Sequence, residues 1–496
     1  MAHVEHLIVG AGFAGLCAAI KLQEDGETDF LVVERGSTVG GTWRDNTYPG
    51  ACCDVPSQLY SYSFASHDWP KSYSPQPDIQ AYIERVAQRS GTLDRFAFHT
   101  TMEHAAWDAA SQRWTVRISS PEGERTVTAR TLIVGAGGLS EPKLPDLAGL
   151  DTFQGEVFHS ARWDHGVDLA GKRVAVIGTG ASAIQIIPEL QQVAERTGGH
   201  LDVYQRTAPW VIPRNDRTYK GVEAAALKRF PALRKVYRTG VYWAHEGYVP
   251  AFTMAPKMAL PAQKAAQANI ALGIKDPVLR AKVTPHFAIG CKRILRSNTY
   301  YPALAADTTE LVTDRIAKVT GNAIVTADGV ERPVDVIVVA TGFHTTELPI
   351  AEHITGTAGH TLADAWRTTG MAAYKGTTVP GFPNLFMIVG PNTGQGHTSM
   401  VFMIEAQVAY ITGAVRTMRR EGYGALEPHQ AAYRRWNADL QRRMKRTVWN
   451  TGGCSSWYLD DQGRNTVLWP KATFTFRRQL ASFDVGAYDV KGRVSA

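Results

Sequence analysis

Cysteine is scarce: five in 496 residues, an odd number with no C-x-x-C pair, so neither a disulfide framework nor a zinc cluster follows from the spacing. That scarcity points to a reducing compartment. No apolar run approaches the ~18 residues of a membrane span. The amino terminus enters an apolar strand without a secretory cleavage pattern, and a cytoplasmic protein is expected. A strong excess of one charge is missing as well, since 53 Lys and Arg face 46 Asp and Glu for a net of +7. The basic stretches Arg416 to Arg420 and Arg434 to Arg446 carry no interleaved stacking aromatics, so they read as solvated helix faces and no nucleic-acid partner is expected. There is no H-E-x-x-H and no G-x-S-x-G, which removes zinc-protease and nucleophile-elbow chemistry.

What remains is an ordinary globular composition, 44% hydrophobic and 20% charged, and a length that suits about three domains of ~150 residues. Within it one grammar occurs twice. His6-Leu-Ile-Val-Gly10 is a short apolar strand that runs into Gly10-Ala-Gly12-Phe13-Ala14-Gly15 and a helical stretch. Arg173-Val-Ala-Val-Ile177 repeats the strand and runs into Gly178-Thr179-Gly180-Ala181-Ser182-Ala183, again before a helical stretch. Strand, glycine turn and helix is the context that makes G-x-G-x-x-G/A a dinucleotide site. The turn lets backbone approach a pyrophosphate, whose charge then sits at a helix N-terminus. Residues 131–137, 334–342 and 385–391 read as further apolar strands ending in small residues, and a long helix begins at about Ser399.

Residues 213–289 are rich in Ala, Lys and aromatics at helical spacing, with no strand run. They read as a helical insertion whose Tyr237, Tyr242, Trp243 and Tyr248 form its own core. The fold class is therefore α/β, with two dinucleotide-binding (Rossmann-like) domains and a helical insertion. The expected boundaries are 1–145 and 376–496 for the first dinucleotide-binding domain, 155–212 and 290–375 for the second, and 213–289 for the insertion.

The two sites differ in the residues beyond the turn. Glu34 closes the next strand after the first turn, about 20 residues on, where an acid accepts hydrogen bonds from a ribose diol and repels a 2′-phosphate. That suits FAD. The matching strand of the second site ends Tyr204-Gln205 without an acid and continues Arg206-Thr207, a guanidinium and a hydroxyl that match the 2′-phosphate of NADPH.

Phe153-x-Gly155-x-x-x-His159-x-x-x-Trp163-Asp164 lies just before the second turn. Gly40-Gly-Thr42-Trp43 is followed by Tyr48-Pro-Gly50, Asp54, Ser57 and Tyr60, and later come Lys292-Arg293 and Ala340-Thr-Gly342. With these motifs the chain resembles the class B flavoprotein monooxygenases and, within them, the type I Baeyer–Villiger monooxygenases. The resemblance implies that NADPH reduces FAD, that O2 adds at flavin C4a, and that the resulting peroxide attacks a ketone to yield an ester or lactone. It implies Arg293 as the catalytic cation and Asp54 as its carboxylate partner, both also near cofactor. Thr42, Trp43, Tyr60 and Met400 match flavin-contacting positions, and Lys292 matches a position that joins Arg206 and Thr207 on the 2′-phosphate. His159 and Trp163 match an interdomain linker that acts through conformation. Two departures stand out. Ala183 closes the second turn in place of a third glycine, and Pro56 stands where many relatives carry an acid.

Other readings are weaker. An N- or S-oxygenase of the same superfamily would keep both cofactors but lack the Asp54/Arg293 pair. A disulfide reductase needs two redox-poised cysteines, which adjacent Cys52 and Cys53 do not imitate. A binding protein without turnover rests on the +7 charge alone. The segment Gly452-Gly-Cys-Ser-Ser-Trp-Tyr458 is left between a contact to cofactor or substrate and a packed aromatic turn.

Overall fold

In a computed structural model, which describes residues 2–492, the apolar run at the amino terminus is the strand Ala2–Val9, exposed at its start and buried at its end. Burial on both faces is what a near-continuous hydrophobic strand in a parallel sheet requires. It pairs in parallel with Phe30–Val33 on one side and with Gly123–Val134 on the other. The latter is long enough to do two jobs. Its first half closes an antiparallel meander with Thr101–Asp108 and Arg113–Ser120, and its last residues pair in parallel with Leu385–Met387. This eight-stranded sheet is the larger of the two main sheets.

The second sheet has five parallel strands in the order Thr309–Val312, His200–Tyr204, Arg173–Ile177, Val336–Val339, Glu156–His159. A small antiparallel sheet, Ile316–Val319, Ala323–Thr326 and Glu331–Pro333, covers one face through Val319 and Ile324.

Each glycine turn comes directly after an inner strand of its sheet. Gly10 and Gly178 hold φ of 94° and 116°, a region that side chains disfavour. A Cβ on Gly10 would come 2.8 Å from the Gly135 carbonyl oxygen, and one on Gly178 would come 2.5 Å from that of Ala340. Glycine is required at both positions by backbone crowding as well as by conformation.

Helices Gly221–Arg229, Pro231–Glu246, Val249–Thr253, Leu260–Gly273 and Pro277–Val283 fill the span 213–289. Its aromatics are not an independent core. Tyr242 stacks on Phe402 at 5.0 Å and Trp243 packs on Phe474 at 5.6 Å, while Trp243 and Tyr248 stay 54% and 49% exposed. The amphipathic helix Pro231–Glu246 is too small to bury these rings internally, so it docks them on the helix Met400–Glu421 and the carboxy-terminal region.

Two further expectations are corrected. The chain returns to the first sheet well before residue 376: Ile354–Thr355 pairs with Thr101–Asp108, and Leu362, Trp366 and Met371 join that sheet's core. A short edge strand carries too few residues to be seen in a hydrophobic pattern. The cysteines also do form one disulfide, between Cys291 and Cys454, which are 163 residues apart. Spacing rules read local motifs, whereas this pair is brought together by tertiary structure. Cys17, Cys52 and Cys53 are free. The basic stretches are solvated helix faces, with Arg416 and Arg419 paired to Asp25 and Glu27. Among the described residues no helix is long and apolar enough to cross a membrane.

Candidate active site

The first glycine turn opens the helix Phe13–Glu24. Its N-cap is Gly12, with no side-chain cap and no acid in the first turn. The free first-turn amides around Phe13, Ala14 and Gly15 are a ready anion site. Gly15 is pressed against the Gly10 carbonyl oxygen, and a Cβ on Gly12 would lie only 3.6 Å from Gly41. Glu34 is buried, and it is satisfied from three sides. The Ala11 N–H donates to its Oε2 at 2.7 Å, and the Gly36 N–H and Arg44 Nη1 donate to its Oε1 at 2.7 Å each. Carboxylate oxygens keep further acceptor capacity, so the oriented Glu34 side chain suits a ribose diol. Arg44 is a residue that sequence reasoning missed, although it directly succeeds the Gly40-to-Trp43 motif. Burial works against its charge, but hydrogen bonding to Asp45 and the Glu34 carboxylate raise its pKa.

The second turn opens Ala183–Thr197 at Ser182, again with no side-chain cap bond and no acid in the first turn. Gly180 has open space where a Cβ would stand. The Thr179 hydroxyl donates to the Thr207 carbonyl at 3.2 Å, which ties this turn to the Arg206-Thr207 strand end. Lys292 lies over the Phe287 ring at 5.4 Å, and burial together with the Arg206 charge lowers its pKa. Two cations that repel one another are a fitting cradle for a phosphate dianion.

Asp54 and Arg293 meet in a two-toothed ion pair, Nε to Oδ2 and Nη2 to Oδ1, both at 2.6 Å. Burial opposes ionisation of Asp54, and the Arg293 charge overcomes it, so its pKa is lowered. Asp54 in turn raises that of Arg293 against the cost of burial. Arg293 Nη1 donates to the Gln395 carbonyl at 3.3 Å. Beside the pair, Trp43 Nε1 donates to the Tyr60 hydroxyl at 3.0 Å, and Phe13 meets the Tyr60 ring edge-on at 5.3 Å. Tyr60 and Met400 pack on the core that holds Phe13 and Trp43. Thr42 begins the short helix Thr42–Asp45 that places Trp43. The aromatic wall thus joins the first glycine turn to the ion pair.

Three buried polar side chains here lack partners among the described residues: the Gln395 amide, the Thr398 hydroxyl and the Tyr458 hydroxyl. Buried polar groups are rarely left so, and polar edges of a bound ring system would satisfy them. The segment 452–458 packs against the loop of Arg293. Cys454 is bonded to Cys291, and the Gly452 carbonyl accepts from the Ala288 N–H at 2.9 Å. Burial pushes the Tyr458 hydroxyl up to about 12, with the Arg293 charge acting against it.

His159 lies apart from this centre. Its Nδ1 accepts from the Ala161 N–H at 3.1 Å, and burial pushes its pKa down to about 4. A neutral ring capping a turn fits a linker role, as does Trp163, edge-on to Phe158 at 5.0 Å.

The flavin-binding monooxygenase-like family is matched over residues 4–241. A Baeyer–Villiger monooxygenase of Streptomyces coelicolor is 50% identical over 98% of this chain and 93% of its own length. The chain belongs to the Baeyer–Villiger monooxygenases. Another member, from Pseudomonas aeruginosa, is 47% identical over 98% of this chain and 91% of its own. In fold, this Baeyer–Villiger monooxygenase matches a closed crystal structure of cyclohexanone monooxygenase with a TM-score of 0.87 at 27% identity, covering 99% and 100% of the two chains. It also matches an oxidised steroid monooxygenase bound to NADP, with a TM-score of 0.85 at 30% identity over 99% and 100%.

Proposed function

We propose that Arg293 and Asp54 carry the reaction of this Baeyer–Villiger monooxygenase, an FAD- and NADPH-dependent enzyme that inserts one atom of O2 beside a ketone carbonyl to give an ester or lactone. The observation that supports these roles is the two-toothed pair itself, its third donor on Gln395, at the end of an aromatic wall that starts from the first glycine turn. FAD, once reduced by NADPH, supplies the activation of O2. Arg293 provides a cation whose charge and direction are set before reaction, next to where negative charge gathers on the attacked carbonyl oxygen. Preorganised charge of this kind needs no reorganisation in the transition state. Asp54 holds the guanidinium in register and keeps it ionised. Trp43, Tyr60 and Tyr458 exclude water, which strengthens every charge interaction inside.

We assign FAD to the sheet that carries Gly10 and NADPH to the sheet that carries Gly178. Arg206, Thr207 and Lys292 are then the readers of the 2′-phosphate. Arg206→Ala is expected to raise the KM for NADPH and to leave that for NADH nearly unchanged; equal changes with both would remove Arg206 from that role. A cytoplasmic location is supported by the need for NADPH, which is regenerated there.

The deciding experiment is product identification by mass spectrometry under 18O2, with FAD-loaded enzyme, NADPH and a panel of cyclic, linear and aryl ketones plus a thioether. Esters or lactones carrying one 18O are expected. Sulfoxide from the thioether with no ester from any ketone would reject the proposed roles of Arg293 and Asp54.

A further inference from the structure

The helix Pro231–Glu246 has one buried residue among those described, and it is a carboxylate, Glu246. Isolated burial of a carboxylate costs several kcal/mol, yet Glu246 stays ionised because it is partnered on each oxygen. Burial would raise its pKa, but hydrogen bonds from His397 and Thr473 lower it overall. The Thr473 N–H donates to Oε2 at 3.0 Å, the Thr473 hydroxyl donates to Oε1, and His397 Nε2 lies 3.3 Å from Oε1. Both members of the His397–Glu246 pair are 3% exposed.

The position of His397 gives the pair its meaning. It stands two residues after Gln395, whose carbonyl takes the third donor of Arg293, and two before Ser399, which caps Met400–Glu421. Residues 392 and 394 are tied to the backbone of residues 466 and 467. Among the described residues, the hydrogen bonds that hold residues 395–397 to the rest of the chain are those of the Gln395 carbonyl and the His397 ring. Release of His397 would leave that turn, and the orientation of Arg293, to the single long bond on Gln395.

We propose that Glu246 and His397 are a buried positioning pair through which the helical insertion sets the turn 395–397, and through it the direction of the Arg293 guanidinium. This rests on the role given to Arg293 above. The insertion, docked by Tyr242 on Phe402, is thereby linked mechanically to the reaction centre.

The test uses holoenzyme variants Glu246→Ala, His397→Ala, the double variant, and the conservative Glu246→Gln, with Arg293→Ala as a reference. Four readouts are taken: the anaerobic rate of flavin reduction by NADPH, the ratio of ester formed to NADPH consumed, hydrogen peroxide released, and the urea midpoint of the apoprotein. Each alanine variant is expected to lower the ester-to-NADPH ratio ~10-fold or more, as displacement of a catalytic group by a fraction of an ångström does. Peroxide should rise to match, and flavin reduction should stay within about twofold, far inside that loss. The double variant should be no worse than either single one, in ratio and in urea midpoint, and Glu246→Gln, which keeps an acceptor for His397, should retain most of the coupling. An unchanged ratio in both single variants, or losses that multiply in the double, would overturn the pair. Ester formation surviving in Arg293→Ala would instead overturn the role of Arg293, and a non-additive urea midpoint would still register the contact.

Discussion

Arg293→Ala is expected to take up flavin and NADPH, to pass electrons from one to the other, and to make no measurable ester. The guanidinium is a cation held in place by Asp54 and the Gln395 carbonyl together. Removing a preorganised hydrogen-bond donor to developing negative charge typically costs ~10²–10³ in rate, and here the loss adds to a half-buried Asp54 that has lost its cation. Reduction should survive because the nucleotide-binding positions proposed above include groups away from the pair, at the Glu34 amide cradle and at the Arg206–Lys292 cations. The measurement is paired: stopped-flow absorbance of the flavin under argon, then product analysis in air. Ester formed at the wild-type rate would take Arg293 out of the mechanism. Arg293→Lys is expected to recover little, because a point ammonium cannot span both Asp54 oxygens and the Gln395 carbonyl at once.

Asp54→Ala should cost both stability and turnover. Breaking a buried ion pair from one side is destabilising by ~3–5 kcal/mol, and with about a quarter of each side chain exposed, 24% and 26%, the low end of that range is expected. The dependence on pH comes from the lowered pKa of Asp54. A carboxylate with a folded pKa below its unfolded value of about 3.9 contributes its full stability above that value and loses it as pH falls through the folded pKa. Urea midpoints of wild type and Asp54→Ala should therefore stand furthest apart from about pH 5 upward, where the acid is ionised in both states, and converge toward pH 3. A gap that persists undiminished at pH 3 would mean that Asp54 acts through packing and not through its charge.

The parts of the site that sequence reasoning reaches are those whose physics is local. A glycine turn between a strand and a helix is legible because the positive φ of Gly10 and Gly178 is a property of the turn itself. Glu34 and Arg206 are legible because their distance from the turn is set by one crossover. Asp54 and Arg293, 239 residues apart, are paired only by family resemblance; nothing in their neighbourhoods announces that they touch. Where both locality and resemblance fail, the reading fails as well. Glu246 looks like an ordinary helix-end acid until the fold buries it. The packing of the Tyr458 segment against the Arg293 loop is equally invisible in its own sequence. The insertion's rings are assigned inward because periodicity tells which face of a helix is apolar and not which partner covers it.

The bond between Cys291 and Cys454 has a topological consequence. It closes the polypeptide into a covalent ring that takes in the strands Thr309–Val312, Val336–Val339 and Leu385–Met387, and so threads through both main sheets. A single cut by a protease at a surface loop inside that ring produces two chains that still migrate as one molecule, and they separate only after a thiol is added.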